Sequence, residues 1–456
     1  MSTGSTQRIG GTRDMTTGSI IGQIVLFALP LMLGNAFQML YNTVDAVVVG
    51  NFVGKEALAA VGSTTMIVNM LVFFFNGFSV GASVVVARLF GQKDLPMLHK
   101  AVETTITLTF VICVVFTLIG IAGVRPMLRL MATPDDVFGD AVTYLTIYFA
   151  GITGLLIYNM GSGILRAVGD TTRPLLFLIL TSLLNIALDL LFVIRFGMGI
   201  AGVGYATILS QAVSAVLILV MLTRTRNIYR LDWKDLQIDR QLTARIFSIS
   251  MPAGIQSVIT AVSNTFVQSY INHFGSACMA GWSCYNKMDQ FILLPMQSMA
   301  MAATTFVSQN IGASKRGRAQ RGIRTTILLT LAVTGLIAAV LYVFAEPATG
   351  LFTKDTAVIE FSVLFLRTNV IFLLANCVNH TMAGALRGMG DSRGPMVIML
   401  LCFVAVRQAY LFIITRFFFN TPRAVGFGYP VGWVSCCVIE LLYYYITKKR
   451  GEAAAP

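Results

Sequence analysis

Charged side chains are scarce in this sequence. Asp, Glu, Lys and Arg together make up 12% of its 456 residues, against roughly 25% in an average soluble domain. Histidine occurs three times, and no C-x-x-C, H-E-x-x-H, G-x-S-x-G or Walker-type sequence is present. The low charge content argues against a soluble globular protein. The missing motifs argue against ATP-driven transport by this chain alone and against membrane-embedded hydrolysis.

Cysteine is also infrequent, and the first residues contain no processing signal. Six of the seven cysteines lie inside apolar stretches, so we expect packed thiols and not a paired extracellular framework. Residues 1–19 are rich in Ser, Thr and Gly and contain no cleavage site. They predict a tail, followed by a first span that remains as an anchor.

Long apolar stretches are what the sequence has in abundance, since 56% of its residues are hydrophobic. Stretches of about 20 residues are long enough to cross ~30 Å of hydrocarbon as helices. They predict an all-α polytopic membrane protein with twelve transmembrane helices. The predicted spans are 20–44, 57–83, 101–124, 138–161, 173–194, 200–222, 246–271, 279–305, 324–345, 358–381, 394–415 and 426–447.

The chain also repeats itself. At a shift of 221 residues, G-I-L-R-A-V-G-D-T-T-R-P at 163–174 matches G-A-L-R-G-M-G-D-S-R-G-P at 384–395. Six spans in each copy predict two six-helix lobes related by a pseudo-two-fold axis along the membrane normal, with a site between the lobes. The predicted segments are a tail at 1–19, an N-lobe at 20–222, a linker at 223–245, a C-lobe at 246–447 and a tail at 448–456.

Positive charge predicts the orientation of the spans. Of the 33 Lys and Arg residues, 23 fall on the side of the two termini, seven on the opposite side and three within spans. This asymmetry predicts that both termini are cytoplasmic. The net charge of +13 is then accounted for by cytoplasmic loops beside anionic lipid, with no nucleic acid partner. The polar linker is expected to form, in part, an amphipathic interfacial helix.

Acidic residues inside apolar spans are costly and usually face a cavity or a partner. Asp45, Asp189, Asp289 and Glu440 are of this kind. Asn185 and Asp189 are four residues apart and share one face of the fifth span. Thr207 lies in the sixth span, and Asp45 closes the first.

If the first, fifth and sixth spans pack together, these side chains form one oxygen-rich cluster. Such a cluster suits Na⁺, or two acids that share a proton. The alternative is that the two acids only cap helix ends or satisfy each other.

Several stretches of this chain resemble the multidrug and toxic compound extrusion (MATE) family. They are the span 24–45, the stretch G-N-F-V-G-K-E-A-L-A-A-V-G at 50–62 and the duplicated G-x-L-R-x-x-G-D-x-x-x-P. The resemblance covers about 20–447. It implies two six-helix lobes and a secondary active transporter that exports organic, often cationic, compounds in exchange for H⁺ or Na⁺ by alternating access.

The resemblance extends to the DinF-like branch of that family. The cation or proton site of that branch would correspond to Asp45, Asn185, Asp189 and Thr207, with a bend of the first helix at Pro30. We therefore expect a monomeric protein of the cell membrane that handles small molecules, is surrounded by lipid, is not an enzyme and needs no cofactor apart from its coupling ion.

Other residues carry weaker predictions. Aromatic, Met and acidic side chains that could line a substrate cavity are Phe37, Tyr41, Tyr158, Tyr285, Met288 and Asp289, because polarizable surfaces suit flat apolar cations. Each of them could equally be a core or lipid-facing residue, and Asp289 could belong to an internal ion pair. Glu440 and Arg407 are expected to form a structural pair between the last two spans. His380 is expected to be a hydrogen-bonded packing residue, with a proton site as the alternative.

The repeated motif is interpreted as a structural turn. Gly169 and Gly390 permit tight turns, and Asp170 and Asp391 are positioned to cap the helices that follow. The motif arginines, Arg166 and Arg387, are expected to pair with those aspartates or with lipid phosphates.

Two other functions compete with cation-coupled efflux. A flippase of lipid-linked or amphipathic substrates would have a similar topology but would use a large basic cavity, for which only Lys287 and Arg407 are available. A membrane-embedded enzyme or a sensor belongs to a different class. The sequence has no catalytic constellation, and a sensor would not require the polar residues of three spans to converge.

Overall fold

The computed structural model describes residues 12–53 and 55–453. Within that part, the side chains of residues 42, 45–47, 49, 51, 55–59, 448 and 450–453 are not described. The first half contains seven α-helices: α1 (Ile20–Val48), α2 (Lys55–Gln92), α3 (Leu95–Leu130), α4 (Asp135–Ala150), α5 (Ile152–Ala167), α6 (Thr172–Leu190) and α7 (Gly199–Arg224).

The second half contains ten α-helices: α8 (Arg240–Asn272), α9 (Ser276–Gly312), α10 (Arg316–Val343), α11 (Ala345–Gly350), α12 (Thr356–Asn369), α13 (Leu373–Met389), α14 (Arg393–Met399), α15 (Arg407–Ile413), α16 (Pro422–Gly426) and α17 (Gly428–Ala453). Short π-helical segments extend several of these spans: Val49–Val53, Leu191–Arg195, Leu400–Val406 and Ile414–Phe418. A 3₁₀ turn, Val370–Phe372, joins α12 to α13.

The prediction of twelve spans is confirmed. Eleven helical stretches in the described part are long and apolar enough to cross a membrane, and α4 and α5 together make a twelfth span that is bent by 46°. Several helices are longer than the apolar stretches that predicted them; α9, for example, covers 37 residues. A helix continues into the polar boundary of the bilayer because its backbone stays hydrogen-bonded there at no extra cost.

Contacts divide the protein into two compact units. The first contains Leu29–Ser250, and the second contains Thr16–Ala28 and the chain from Met251 onward. The helix α1 is therefore shared: its start belongs to the second unit and its remainder to the first. The helix α8 is shared in the same way, because its first turns belong to the first unit.

The segment between α7 and α8 contradicts one expectation. Residues 225–239 contain no helix, so the predicted amphipathic interfacial helix is wrong. The segment is held instead by side chains: Tyr229 and Leu231 are fully buried, and Gln237 Nε2 donates to Glu103 Oε2 of α3 at 3.0 Å. Two buried anchors only two residues apart suit an extended chain and not a helix face.

Asp239 caps the start of α8, and its removal should destabilise the protein. Its Oδ1 atom accepts the backbone N–H groups of Gln241 and Leu242, each at 2.9 Å. Asp239→Ala is expected to lower the free energy of unfolding by about 1 kcal/mol, measured by thermal unfolding in detergent. Asp235→Ala, at an exposed position of the same segment, is the control and should leave the transition unchanged. Equal transitions for both variants would contradict the capping role.

The duplicated motif forms the same turn twice, as predicted. Gly169 and Gly390 adopt φ of 85° and 95°, a left-handed conformation that glycine tolerates best. In the first copy Asp170 Oδ1 accepts the N–H of Arg173 at 3.2 Å, and in the second Asp391 Oδ1 accepts the N–H of Gly394 at 2.9 Å. Both aspartates therefore cap the following helix.

The motif arginines do not pair with these aspartates. Asp170 instead forms an ion pair with Arg173 at 3.1 Å, while Arg166 points inward and donates to Ser79 Oγ at 3.3 Å. Burial raises the pKa of the Asp170 carboxyl, and the hydrogen bond and charge of Arg173 act in the opposite direction. The expectation that Arg166 binds its motif aspartate is wrong because the helix directs it toward α2.

Candidate functional site

The side chains of Asn185 and Asp189 meet the backbone of Thr207 where α6 and α7 run side by side. With the Asn185 amide oriented so that its nitrogen faces the carboxylate, it donates to Asp189 Oδ2 at 3.0 Å and its oxygen accepts the N–H of Thr207 at 3.3 Å. Asn185 and Asp189 are 1% and 0% exposed, and Thr207 is also buried. The predicted convergence of the fifth and sixth spans is therefore present in the structure.

These residues supply the oxygen atoms that a hard cation prefers. The Asp189 carboxylate is the strongest ligand among them, and Thr207 contributes a hydroxyl that also donates to Val203 O at 3.0 Å. A carboxylate inside a membrane span must be compensated by a partner, by a cation or by protonation. Among the described side chains, no three His, Cys, Asp or Glu residues lie close enough together to hold a metal ion.

The remaining predicted ligand, Asp45, has a side chain outside the described part of the structure, but its position along α1 is informative. Gly34 of α1 lies against α6, where an added Cβ would be 3.6 Å from side-chain carbons of Leu175 and of Leu178. The first and fifth spans run in the same direction because successive spans alternate. Asp45 is eleven residues beyond Gly34, and Asp189 is eleven residues beyond Leu178 and fourteen beyond Leu175. At about 16–21 Å along their helices, the two acids lie at similar levels.

Pro30, the predicted hinge, lies inside α1, which continues through it as a helix. A proline in this position has no N–H for the carbonyl of Leu26, so the helix lacks one hydrogen bond there. The division of α1 between the two units falls between Ala28 and Leu29, immediately before this weakened turn.

The three predicted substrate contacts of the first unit lie in different surroundings. Phe37 is 40% exposed, and Tyr41, one turn further along α1, is half-buried. Tyr158 of α5 donates its hydroxyl to Pro174 O at 2.9 Å, at the first turn of α6. Tyr158 therefore links α5, which precedes the motif turn, to α6, which follows it.

The three predicted contacts of the second unit lie together on α9. Tyr285 and Met288 are buried and Asp289 is partly buried. The Tyr285 hydroxyl lies beside Asn369 of α12 and within electrostatic reach of Asp289 and of Tyr429 of α17. The predicted alternative of an ion pair for Asp289 finds no support, since neither ion pair in the described part of the chain includes it.

The contacts of Arg407 in the second unit differ from those that the sequence predicted. Its guanidinium is fully buried, donates to Asn264 Oδ1 from two nitrogens at 3.2 Å and donates to Ser263 Oγ of α8. It also lies over the Tyr429 ring, 4.9 Å from the centroid. The predicted Glu440–Arg407 pair is therefore wrong. Hydropathy places both residues inside the membrane, but it does not tell which face of each helix they occupy.

Comparison with known proteins gives consistent results along the whole chain. The MatE family model matches residues 30–191 and again 252–411, so each half matches it separately. The chain is 28% identical over 449 residues to the probable multidrug resistance protein YoeA of Bacillus subtilis (strain 168), with 96% of both chains covered. It is also 28% identical over 436 residues to YpnP of the same organism, another probable multidrug resistance protein, with 94% of this chain and 96% of that one covered.

The fold is similar to that of a crystal structure of MATE in the straight conformation. The TM-score is 0.90 at 23% sequence identity, and the match covers 97% of this chain and 99% of the other.

Proposed function

We propose that this chain, which belongs to the MatE family of membrane transporters and is not an enzyme, exports small organic compounds in exchange for H⁺ or Na⁺. The observation that carries the proposal is the buried cluster of Asn185, Asp189 and Thr207. A purely structural contact between two helices would not require a carboxylate at the interface. The names of the relatives, both probable multidrug resistance proteins, support a broad range of organic substrates.

The coupling ion would bind between α1, α6 and α7. Asp45 and Asp189 lie at similar levels, so a Na⁺ ion could be held by both carboxylates together with Asn185 and Thr207. If the ion is H⁺, the two carboxylates would share it, because two acids close together in low dielectric do not both ionise. These residue types at these positions support membership of the DinF-like branch of the family.

Cation binding would be coupled to export through α1. Neutralising the two acids removes their mutual repulsion, so the part of α1 beyond Pro30 can move toward α6. The missing hydrogen bond at Pro30 lowers the cost of a bend there. Phe37 and Tyr41 lie on the moving part and would leave the substrate as it is released. The free energy available for export is limited to the difference in cation affinity between the two states.

The remaining properties follow from the family and the charge pattern. The protein would reside in the cell membrane with both termini in the cytoplasm, and it would use alternating access without a cofactor. On the substrate side, Tyr285, Met288 and Asp289 would supply aromatic, polarizable and acidic contacts for a cationic compound.

Transport in liposomes tests this function. Purified protein would be reconstituted with an imposed pH gradient or an imposed Na⁺ gradient, and the movement of a fluorescent organic cation would be followed. Dye movement driven by one gradient and absent with the other supports export and identifies the ion. Dye that follows neither gradient, while the same vesicles remain sealed, contradicts the proposal. Movement of labelled lipid instead of dye would favour the flippase.

A further inference from the structure

Glu440 is a buried acid for which the proposed transport mechanism has no role. It lies at the middle of α17, is 0% exposed, and neither carboxylate oxygen has a hydrogen-bond partner in the described part of the protein. A buried carboxylate without any donor is unstable by several kcal/mol. It therefore requires either a proton or a cationic side chain in direct contact.

The titratable groups around Glu440 are few. Arg387 of α13 contributes a positive charge, and His380 of the same helix lies near that arginine. Cys402 lies in the π-helical segment before α15. Cys436 and Cys437 lie on α17 itself, one turn before Glu440. Thiols are weak donors, so only Arg387 can neutralise an ionised Glu440.

Arg387 does not neutralise it in this conformation. The ion pairs within the described residues, taken at 4.0 Å or less, do not include Arg387 with Glu440. The Nε atom of Arg387 is itself buried without a partner. Arg407, another buried arginine of the second unit, is engaged with Asn264, Ser263 and Tyr429. Glu440 and Arg387 are thus near each other and both incompletely satisfied.

In the first half, the motif arginine keeps its place in the fold without an acidic partner from the last helix of that half. Arg166, the counterpart of Arg387, donates to Ser79 Oγ, and α7, the counterpart of α17, contains no Asp or Glu. The counterpart of His380 is Asn159, which donates to Leu155 O of its own helix. The acid and the histidine are therefore present in only one copy of a scaffold that closes without them in the other.

We propose that Glu440 is a proton-binding site of the second unit, protonated when Arg387 is out of contact and ionised when Arg387 reaches it. The site is close to a polar boundary, because Arg387 is three residues before the Gly390 turn, so a proton has a short route in and out. Proton binding itself does not depend on the proposed transport function; only its use in efflux rests on that function.

Infrared difference spectroscopy tests this site without any transport. Reconstituted protein would be titrated with acid and base, and the C=O stretch of protonated carboxyl groups would be recorded in H₂O and D₂O. The wild type should show a titrating band that Glu440→Gln removes, while Glu440→Asp should retain a shifted band. The matched control is Glu360→Gln, the same change at an exposed position of α12 in the same unit. It should leave the band of the buried acid in place.

A band that persists unchanged in folded Glu440→Gln protein would overturn the proposal, as would its loss in Glu360→Gln. Retained monodispersity and an unchanged melting temperature show that each variant is folded. The use of the site in efflux is measured separately, as the pH profile of dye export, which should lose one inflection in Glu440→Gln. If no dye moves in any variant but the band disappears in Glu440→Gln, the transport function fails and the proton site stands.

Discussion

Asp189→Asn is expected to reduce gradient-driven export about 100-fold while leaving the protein folded. The carboxylate of Asp189 is buried beside Asn185 and Thr207, and the amide has nearly the same shape without the charge. A hydrogen bond to a charged group contributes about 1.5–3 kcal/mol, and about 2.7 kcal/mol corresponds to a factor of roughly 100. The initial rate of dye movement in sealed proteoliposomes measures the effect, and Asp45→Asn should give the same loss.

A matched control exists in the same unit. Glu103 is also buried, and its carboxylate accepts a hydrogen bond from Gln237 of the linker, far along the chain from the candidate site. Glu103→Gln makes the same chemical change without touching α6 or α7, and it should retain most of the export rate. An Asp189→Asn protein that transports at the wild-type rate under either gradient would contradict the role of Asp189.

Gly384→Ala should cause a large loss of stability, because this glycine of the duplicated motif packs against the backbone of α9. An added Cβ would lie 2.4 Å from Ala300 O and 3.0 Å from the carbon of the same carbonyl. Both atoms belong to the backbone of α9, so α13 and α9 would have to separate. Overpacking of this kind costs typically 1–3 kcal/mol, and we expect about 3 kcal/mol because no side chain can move aside. Thermal unfolding of the purified protein in detergent measures it.

Two other alanines complete this series. Gly163, the counterpart of Gly384 in the first half, would place its Cβ 3.0 Å from Ser79 O, so Gly163→Ala should cause a smaller loss. Gly317 on α10 has no atom within 4 Å of the added Cβ, and alanine there should stabilise by about 0.5 kcal/mol. If the Gly384→Ala and Gly317→Ala proteins have the same melting temperature, close packing of α13 on α9 does not limit stability.

The sequence was sufficient to predict the spans, because their length and apolar character are one-dimensional properties. Every predicted span is largely helical, and some, such as 101–124 and 200–222, lie within a single helix, α3 and α7 in these cases. The duplicated turn was predictable for the same reason: glycine at a left-handed position and aspartate before a helix are local signals. The linker was not, because Tyr229 and Leu231 are fixed by distant parts of the fold.

The candidate site was predictable to the extent that helix periodicity specifies a face. Asn185 and Asp189 share one face of α6 by their spacing of four, and Thr207 of α7 meets them. Glu440 and Arg407 could not be paired correctly in this way. Their partners depend on how α15 and α17 are rotated against α8 and α13, which hydropathy does not determine.

The two motif turns have the same shape but different tolerance for side chains. At positions where the first copy has Ala167 and Arg173, the second has Gly388 and Gly394. A Cβ at Gly388 would lie 2.6 Å from Thr304 O, and one at Gly394 would lie 2.5 Å from the Tyr443 ring. A chimera that receives the second turn in the first half should therefore assemble, whereas the reciprocal chimera should not. At this turn the second half therefore has less space for side chains than the first half.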